Sequence, residues 1–224
     1  MKLKWYGHAS FLITADNGLK IVTDPYTPES SGYKPVEDKA DIVIRSSATD
    51  DFHNRSDLIP GNPLVITTPD VAADGGKRVE KGITFQAMET QENVKHRGGN
   101  PELNAIYRFN IDGTNIGHMG DVGNPLNAEQ TAFFEGVDVL LALTGGYPTI
   151  ALTDLKALID KVQPRLVVPM HFRTLRLKMG NILWIQSFLD YFDKADVDFA
   201  SDSEVMLTCE GLPEKTRVLV LDYA

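Results

Sequence analysis

Only one cysteine, Cys209, occurs in the 224 residues. Neither an internal disulfide nor a CxxC metal knuckle can therefore form, and any metal must be held by histidine and carboxylate. Positive charge is scarce as well: 22 Lys and Arg stand against 31 Asp and Glu, a formal net charge of −9. That balance removes the general attraction exerted by a phosphate backbone, so nucleic acid is not expected as a partner. No apolar run approaches the roughly 18 residues of a membrane span, and the first residues enter strand-like sequence without a hydrophobic leader. A cytoplasmic protein with no membrane contact is the expectation. Neither a phosphate- or dinucleotide-binding glycine loop nor a GxSxG elbow is present, which leaves serine-hydrolase chemistry without support. Repeats, linkers and low-complexity tracts are also missing, and one domain over residues 1–224 is expected.

What is present reads largely as short strands. Asn17-Gly18 separates apolar residues 11–13 from 19–23, and Asp112-Gly113 separates 105–111 from 114–117, both in the manner of two-residue hairpins. Residues 42–44, 64–66, 83–88, 137–143, 166–168, 205–208 and 218–221 read as further strands, several of them uninterrupted apolar runs suited to sheets covered on both faces. Helical periodicity is confined to three places. Leu152, Leu155, Leu158, Ile159 and Val162 make one apolar stripe that ends before Pro164, and Asn127 with Gln130 forms a capping-box pattern. Leu183, Trp184, Phe188, Leu189 and Phe192 give the third, a face that fits either the sheet or a second copy of the chain in a homo-oligomer.

The five histidines, His8, His53, His96, His118 and His171, all fall at strand ends or in loops. Neutral imidazole and carboxylate together suit Zn, Mn or Fe, and a hydrolytic centre needs an open position where a bound water becomes hydroxide near neutral pH. A histidine beside a strand also serves as an ordinary hydrogen-bonded residue, so position alone does not make a ligand.

The order of several segments carries more information. Trp5-Tyr6-Gly7-His8-Ala9-Ser10-Phe11, Thr23-Asp24-Pro25-Tyr26, residues 40–44, His118-Met119-Gly120-Asp121, Gly145-Gly146 and Val167-Val168-Pro169-Met170-His171-Phe172 follow one another over nearly the whole chain. In this the sequence resembles metallo-β-lactamase-fold hydrolases, in the branch that includes ascorbate-6-phosphate lactonase-like proteins. The resemblance implies an α/β (α+β) fold, a four-layer αββα sandwich of two mixed sheets with helices outside and a metal site at one edge. It further implies that Asp121 bridges two metals and that His171 is a ligand, while His96 matches a further ligand histidine in the irregular loop before residue 104. One segment departs from the pattern. Where the family carries His-x-His-x-Asp-His, this chain reads Ser47-Ala48-Thr49-Asp50-Asp51-Phe52, which keeps only Asp51 and places His53 one residue late.

A dinuclear centre in this fold needs about seven protein ligands, whereas a mononuclear catalytic site needs about three and an open position. The residues present therefore point to a reduced, mononuclear site. Its ligands would be His96, Asp121 and His171 with Asp51 or His53, holding one divalent ion, Zn first and Mn, Fe or Ni as alternatives. Asp51, Asp121 and His171 would act in hydrolysis of an ester, lactone or phosphoester through metal-bound hydroxide. His8, Tyr6 and His118 would support the site, His118 by orienting Asp121, and Arg173 or Arg176 would hold an anionic group of a small-molecule substrate. The alternative is a member of the fold that has lost catalysis and binds a small anion without metal.

Overall fold

The structure is a computed structural model and describes residues 1–73, 75–94 and 103–224. In chain order its first strands are β1 (Lys2–Gly7), β2 (Ser10–Thr14), β3 (Lys20–Thr23), β4 (Ile42–Ile44) and β5 (Leu64–Ile66). The next are β6 (Lys77–Glu80), β7 (Ile83–Gln91), β8 (Leu103–Ile111), β9 (Thr114–His118), β10 (Val139–Leu143) and β11 (Leu166–Met170). The last are β12 (Val197–Phe199), β13 (Glu204–Met206) and β14 (Arg217–Val220). Among the described residues they make two mixed sheets, ordered β13-β1-β2-β3-β4-β5 and β12-β14-β11-β10-β9-β8-β7-β6.

Strand direction decides where chemistry can be placed. β1, β2 and β3 alternate in direction and β4 and β5 run parallel to β3, so β1, β3 and β4 finish at the same edge of the first sheet. In the second sheet β9, β10 and β11 are parallel neighbours and likewise finish together. Loops that leave the carboxyl ends of parallel strands are where α/β sheets expose their binding residues.

The apolar runs explain the sandwich. Ile21, Ile42 and Ile44 of the first sheet and Phe85, Tyr107, Ile116 and Leu141 of the second belong to one buried cluster. Each such side chain contributes about 1.5–3 kcal/mol on burial. Helix α4 (Leu152–Val162) adds Leu152, Leu155, Leu158 and Ile159 to that cluster and ends at Gln163, whose φ of 51° is followed by Pro164. Helix α2 (Thr68–Ala73) lies against β6 and β7, and helix α3 (Ala128–Phe133), beside α4, opens with the expected reciprocal cap: Gln130 N donates to Asn127 Oδ1 at 2.9 Å, and Asn127 N donates to Gln130 Oε1 at 3.0 Å.

Two outer features differ from expectation. Over the first sheet, irregular chain and the four-residue α1 (Pro28–Ser31) supply most of the cover, through a second cluster that includes Tyr26, Tyr33, Val36 and Ile59. The helix expected around Leu183 to Phe192 is a single turn, Gln186–Leu189. Its first two apolar residues are held extended: Arg173 N donates to Leu183 O at 2.7 Å, and Leu183 N donates to Gly145 O at 2.8 Å.

Candidate metal centre

Three residues of the convergent edge adopt backbone conformations that side chains rarely take. His8, Asp24 and His171 follow β1, β3 and β11 directly and have φ of 51°, 37° and 55°. Left-handed backbone at such residues costs on the order of 1–3 kcal/mol and persists where the surroundings over-determine it. Here they do. The His8 carbonyl accepts from His171 N at 2.9 Å and from Trp5 Nε1 at 3.0 Å, which ties the ends of β1 and β11 together. A Cβ on Gly145, after β10, would lie 2.0 Å from the His171 carbonyl oxygen, so only glycine allows that approach.

These turns bring His8, His53 and His171 into one buried cluster, each at most 1% exposed. The rings of His8 and His171 lie 4.0 Å apart between centroids, those of His8 and His53 4.9 Å. One nitrogen from each of the three lies within 4.8 Å of the others, and Asp50, His53 and Asp121 form a second such group that shares His53. His53 Nε2 and His171 Nε2 stand 3.7 and 3.6 Å from the same oxygen, Asp121 Oδ1. Those separations are too long for hydrogen bonds but near the roughly 3.3 Å between donors on a tetrahedral ion with bonds of about 2.0–2.1 Å.

Asp24 orients the cluster from behind. Its carboxylate is fully buried and accepts from Ser46 N (2.7 Å), Ser46 Oγ (2.7 Å), His53 Nδ1 (3.0 Å) and His118 Nε2 (2.9 Å). The bond to Asp24 requires a proton on His53 Nδ1, so that in the neutral ring the lone pair lies on Nε2, the nitrogen facing Asp121. Burial would raise the Asp24 carboxyl, but His118 and then His53 outweigh it and hold that group well below the usual carboxylate range.

The remaining groups show what the cluster costs without a cation. Burial opposes charge on His53, yet Asp121 and then Asp24 push its pKa up to about 10. Burial pushes Asp121 up to about 8 against the pull of His53, with Asp50, Glu92 and Asp24 adding to the rise. Burial, and then the neighbouring imidazoles, lower His171 to about 3 and His8 well below its ordinary value. Both ring nitrogens of His8, Nε2 of His53, Nδ1 of His171 and Oδ1 of Asp121 are buried without a hydrogen-bond partner among the described residues. Unsatisfied buried polar atoms are rare, and here they gather on four neighbouring residues whose imidazole and carboxylate donors are of the type that holds a divalent ion.

The expected site residues divide accordingly. His53, Asp121 and His171 come together, and His8 stands among them. The side chain of Asp51 is exposed, and the buried Asp50 takes its place beside His53. An Asx turn explains this: Ser47 Oγ accepts from Asp50 N at 3.0 Å and Asp50 Oδ1 from Phe52 N at 2.8 Å, which turns Asp50 inward. His118 bonds Asp24, not Asp121, whose backbone N–H donates to Asn104 Oδ1 at 2.8 Å. Tyr6 lies in the outer cluster of the first sheet, with its hydroxyl on Asp38 and Lys4, because its neighbour Trp5 takes the inner face of β1. Arg173 donates to the Met179 carbonyl and lies over the Trp184 ring, and Arg176 is exposed. Among the described residues neither guanidinium bonds to the histidine cluster. His96 lies outside the described residues. Asp24 and Ser46 carry the orientation of the site yet had no assigned role; the signal available was Asp24 directly after an apolar strand and before Pro25.

Two facing mixed sheets with a buried His/Asp cluster at the carboxyl edge of their parallel strands define a metallo-β-lactamase type of sandwich. The chain belongs to the metallo-β-lactamase superfamily: the family model described as "Beta-lactamase superfamily domain" matches residues 2–171. A relative from Pelotomaculum thermopropionicum, named a UPF0173 metal-dependent hydrolase, is 28% identical over 231 residues, covering 92% of this chain and 99% of the relative. A UPF0173 protein of Pyrococcus furiosus is 29% identical over 193 residues, covering 78% and 84%. Among solved structures, a Thermotoga maritima protein described as a candidate Zn-dependent hydrolase of the superfamily superposes with a TM-score of 0.78 at 29% identity, covering 100% of this chain and 99% of that one. A candidate metal-dependent hydrolase from Parabacteroides distasonis, at a TM-score of 0.64 and 14% identity over 96% and 91% of the two chains, shows the fold alone.

Proposed function

We propose that this chain is a metal-dependent hydrolase with a reduced, mononuclear centre, its divalent ion held by His8, His53, His171 and Asp121. The observation that carries the reading is the approach of one ligand atom each from His8, His53 and His171 to within 4.8 Å, with Asp121 Oδ1 3.7 Å from His53 Nε2 and 3.6 Å from His171 Nε2. Three imidazoles and a carboxylate suit Zn first, with Mn, Fe and Ni as alternatives. When bound, such an ion supplies Lewis-acid polarisation of an ester, lactone or phosphoester and lowers the pKa of a coordinated water.

The chain's own residues do the rest. Asp24 keeps the His53 proton on Nδ1 and so presents Nε2 as a donor. His118 and Ser46 fix Asp24, which is itself fully buried. Asp50, buried in the group with His53 and Asp121, is placed to accept the proton of the attacking water.

A second reading has its own support. A proton on His53, flanked by Asp24 and Asp121, neutralises the cluster without a metal and would suit a protein that only binds small anions. Elemental analysis of untagged protein purified without chelator separates the two. About one metal per chain in the wild type and none in His171→Ala is expected, with turnover in an ester, lactone and phosphoester screen lost in the variant. No metal after incubation with Zn, Mn, Fe and Ni would leave the second reading standing.

A further inference from the structure

Next to the metal centre a cavity of about 320 Å³ opens between the loop after β4 and the loop after β5. It shares two walls with the centre: Ser46, whose hydroxyl bonds Asp24, and Asn104, which holds the Asp121 backbone. Ser47 pairs with Asn104 in an isolated bridge, so the cavity wall and the orienting network are one piece of backbone. Most of the remaining lining is small or apolar, including Ala48, Thr67, Pro69 and Leu103.

Its distinctive member is Arg45. The guanidinium is half-buried, its Nε is fully buried, and no described residue hydrogen-bonds or ion-pairs with it. A cation so placed on a protein of net charge −9 is unusual, because 31 carboxylates are available to pair with 22 cations. Its backbone is fully engaged: Arg45 N donates to Ile66 O at 3.0 Å, and Tyr107 Oη donates to Arg45 O at 2.9 Å. The strand end therefore holds the side chain at the cavity, with its guanidinium donors unengaged among the described residues. Glu89 also lines the cavity and is exposed. One cation with a carboxylate near it suits a monoanionic group better than a dianionic phosphate, since like-charge juxtaposition is penalised.

We propose that this cavity is a substrate subsite in which Arg45 binds a carboxylate, so that the substrate is a small ester or lactone carrying a short apolar chain and a carboxylate. The inference rests on the hydrolase reading for what happens to the ester, but not for the binding of the carboxylate. No bond is made or broken at Arg45; it holds the anionic end while the scissile group lies toward the histidine cluster. A cavity of this volume stands at the lower end of those that take small ligands, which limits the chain to a few carbons.

The test uses the full chain, metal-free and metal-loaded, titrated with hexanoate, its neutral counterpart hexanol, and inorganic phosphate, followed by thermal shift and calorimetry. Hexanoate should stabilise the wild type in both states, as a ligand specific to the native form does. Binding should weaken at least tenfold in Arg45→Ala and recover in part in Arg45→Lys, with metal content unchanged in both variants. Equal binding by Arg45→Ala, no binding by the wild type, or binding that requires metal and ignores Arg45 would overturn the subsite. Tighter binding of phosphate than of hexanoate would overturn the choice of carboxylate. Hexanol binding as tightly as hexanoate would remove the role of charge. Because hexanoate binding is read without metal, its failure is distinct from failure of the metal centre, which the metal content reports.

Discussion

The two walls of the histidine cluster are built in different ways. His8, Asp24 and His171 stand one residue beyond β1, β3 and β11, and His118 closes β9, so their positions follow from strand register. The opposite wall, Ser46 to His53, is a loop shaped by side-chain bonds from Ser47 and Asp50 to its own backbone. A residue at a strand end is fixed to one place by the ladder; a residue in a loop moves when its turn is rewritten. The loop brings His53 and Asp50 into the cluster through its own turn rather than through strand register.

Removing one imidazole from each wall has the largest expected effect. His171→Ala and His53→Ala should both abolish stable metal uptake and lower hydrolysis by about 10³-fold or more, since each deletes a ligand. Uptake retained by His53→Ala would show the loop wall to be incidental. Next in size, Gly145→Ala should destabilise the protein by about 2–3 kcal/mol in denaturant unfolding, because the added Cβ would stand 2.0 Å from the His171 carbonyl. Asp24→Asn keeps the shape but removes the acceptor that fixes His53, and should weaken metal binding by about 10–100-fold in a competition titration.

The metal-free protein should be most stable near neutral pH. Below about 6.5 the unfolded chain protonates His8 and His171 while the folded one resists, down to about pH 3 for His171, so stability falls with acid. Above it the folded chain retains protons on Asp121 and His53 that the unfolded chain has lost, so stability falls as pH rises through about 8 and about 10. Metal should flatten the alkaline limb, a difference that thermal melts across pH will read. The smallest effect belongs to Asp51→Ala, which should change stability by no more than about 0.5 kcal/mol and leave metal content intact, because that side chain is exposed.

The same contrast describes what the sequence made legible. Uninterrupted apolar runs located β4, β5 and β10 within two residues, and the Asn127/Gln130 cap and the α4 stripe emerged as read, because each depends on neighbours in sequence. β6 was not anticipated, since Lys77-Arg78-Val79-Glu80 is a charged edge strand with little to bury. In the site, His171 and Asp121 were recognisable from strand-end motifs. The inward turn of Asp50 was not, because it depends on which hydroxyl and carboxylate cap which N–H. Nor was the meeting of His8 with His171, which results from a hydrogen bond between the ends of strands in two different sheets.

Both walls are expected to donate to one cation. A crystal of the full chain loaded with Zn, measured on both sides of the Zn absorption edge, tests it directly. One anomalous peak is expected, about 2.0–2.2 Å from one nitrogen each of His8, His53 and His171 and from an Asp121 oxygen. No peak among these residues, or a peak held without His8 and His53, would contradict it.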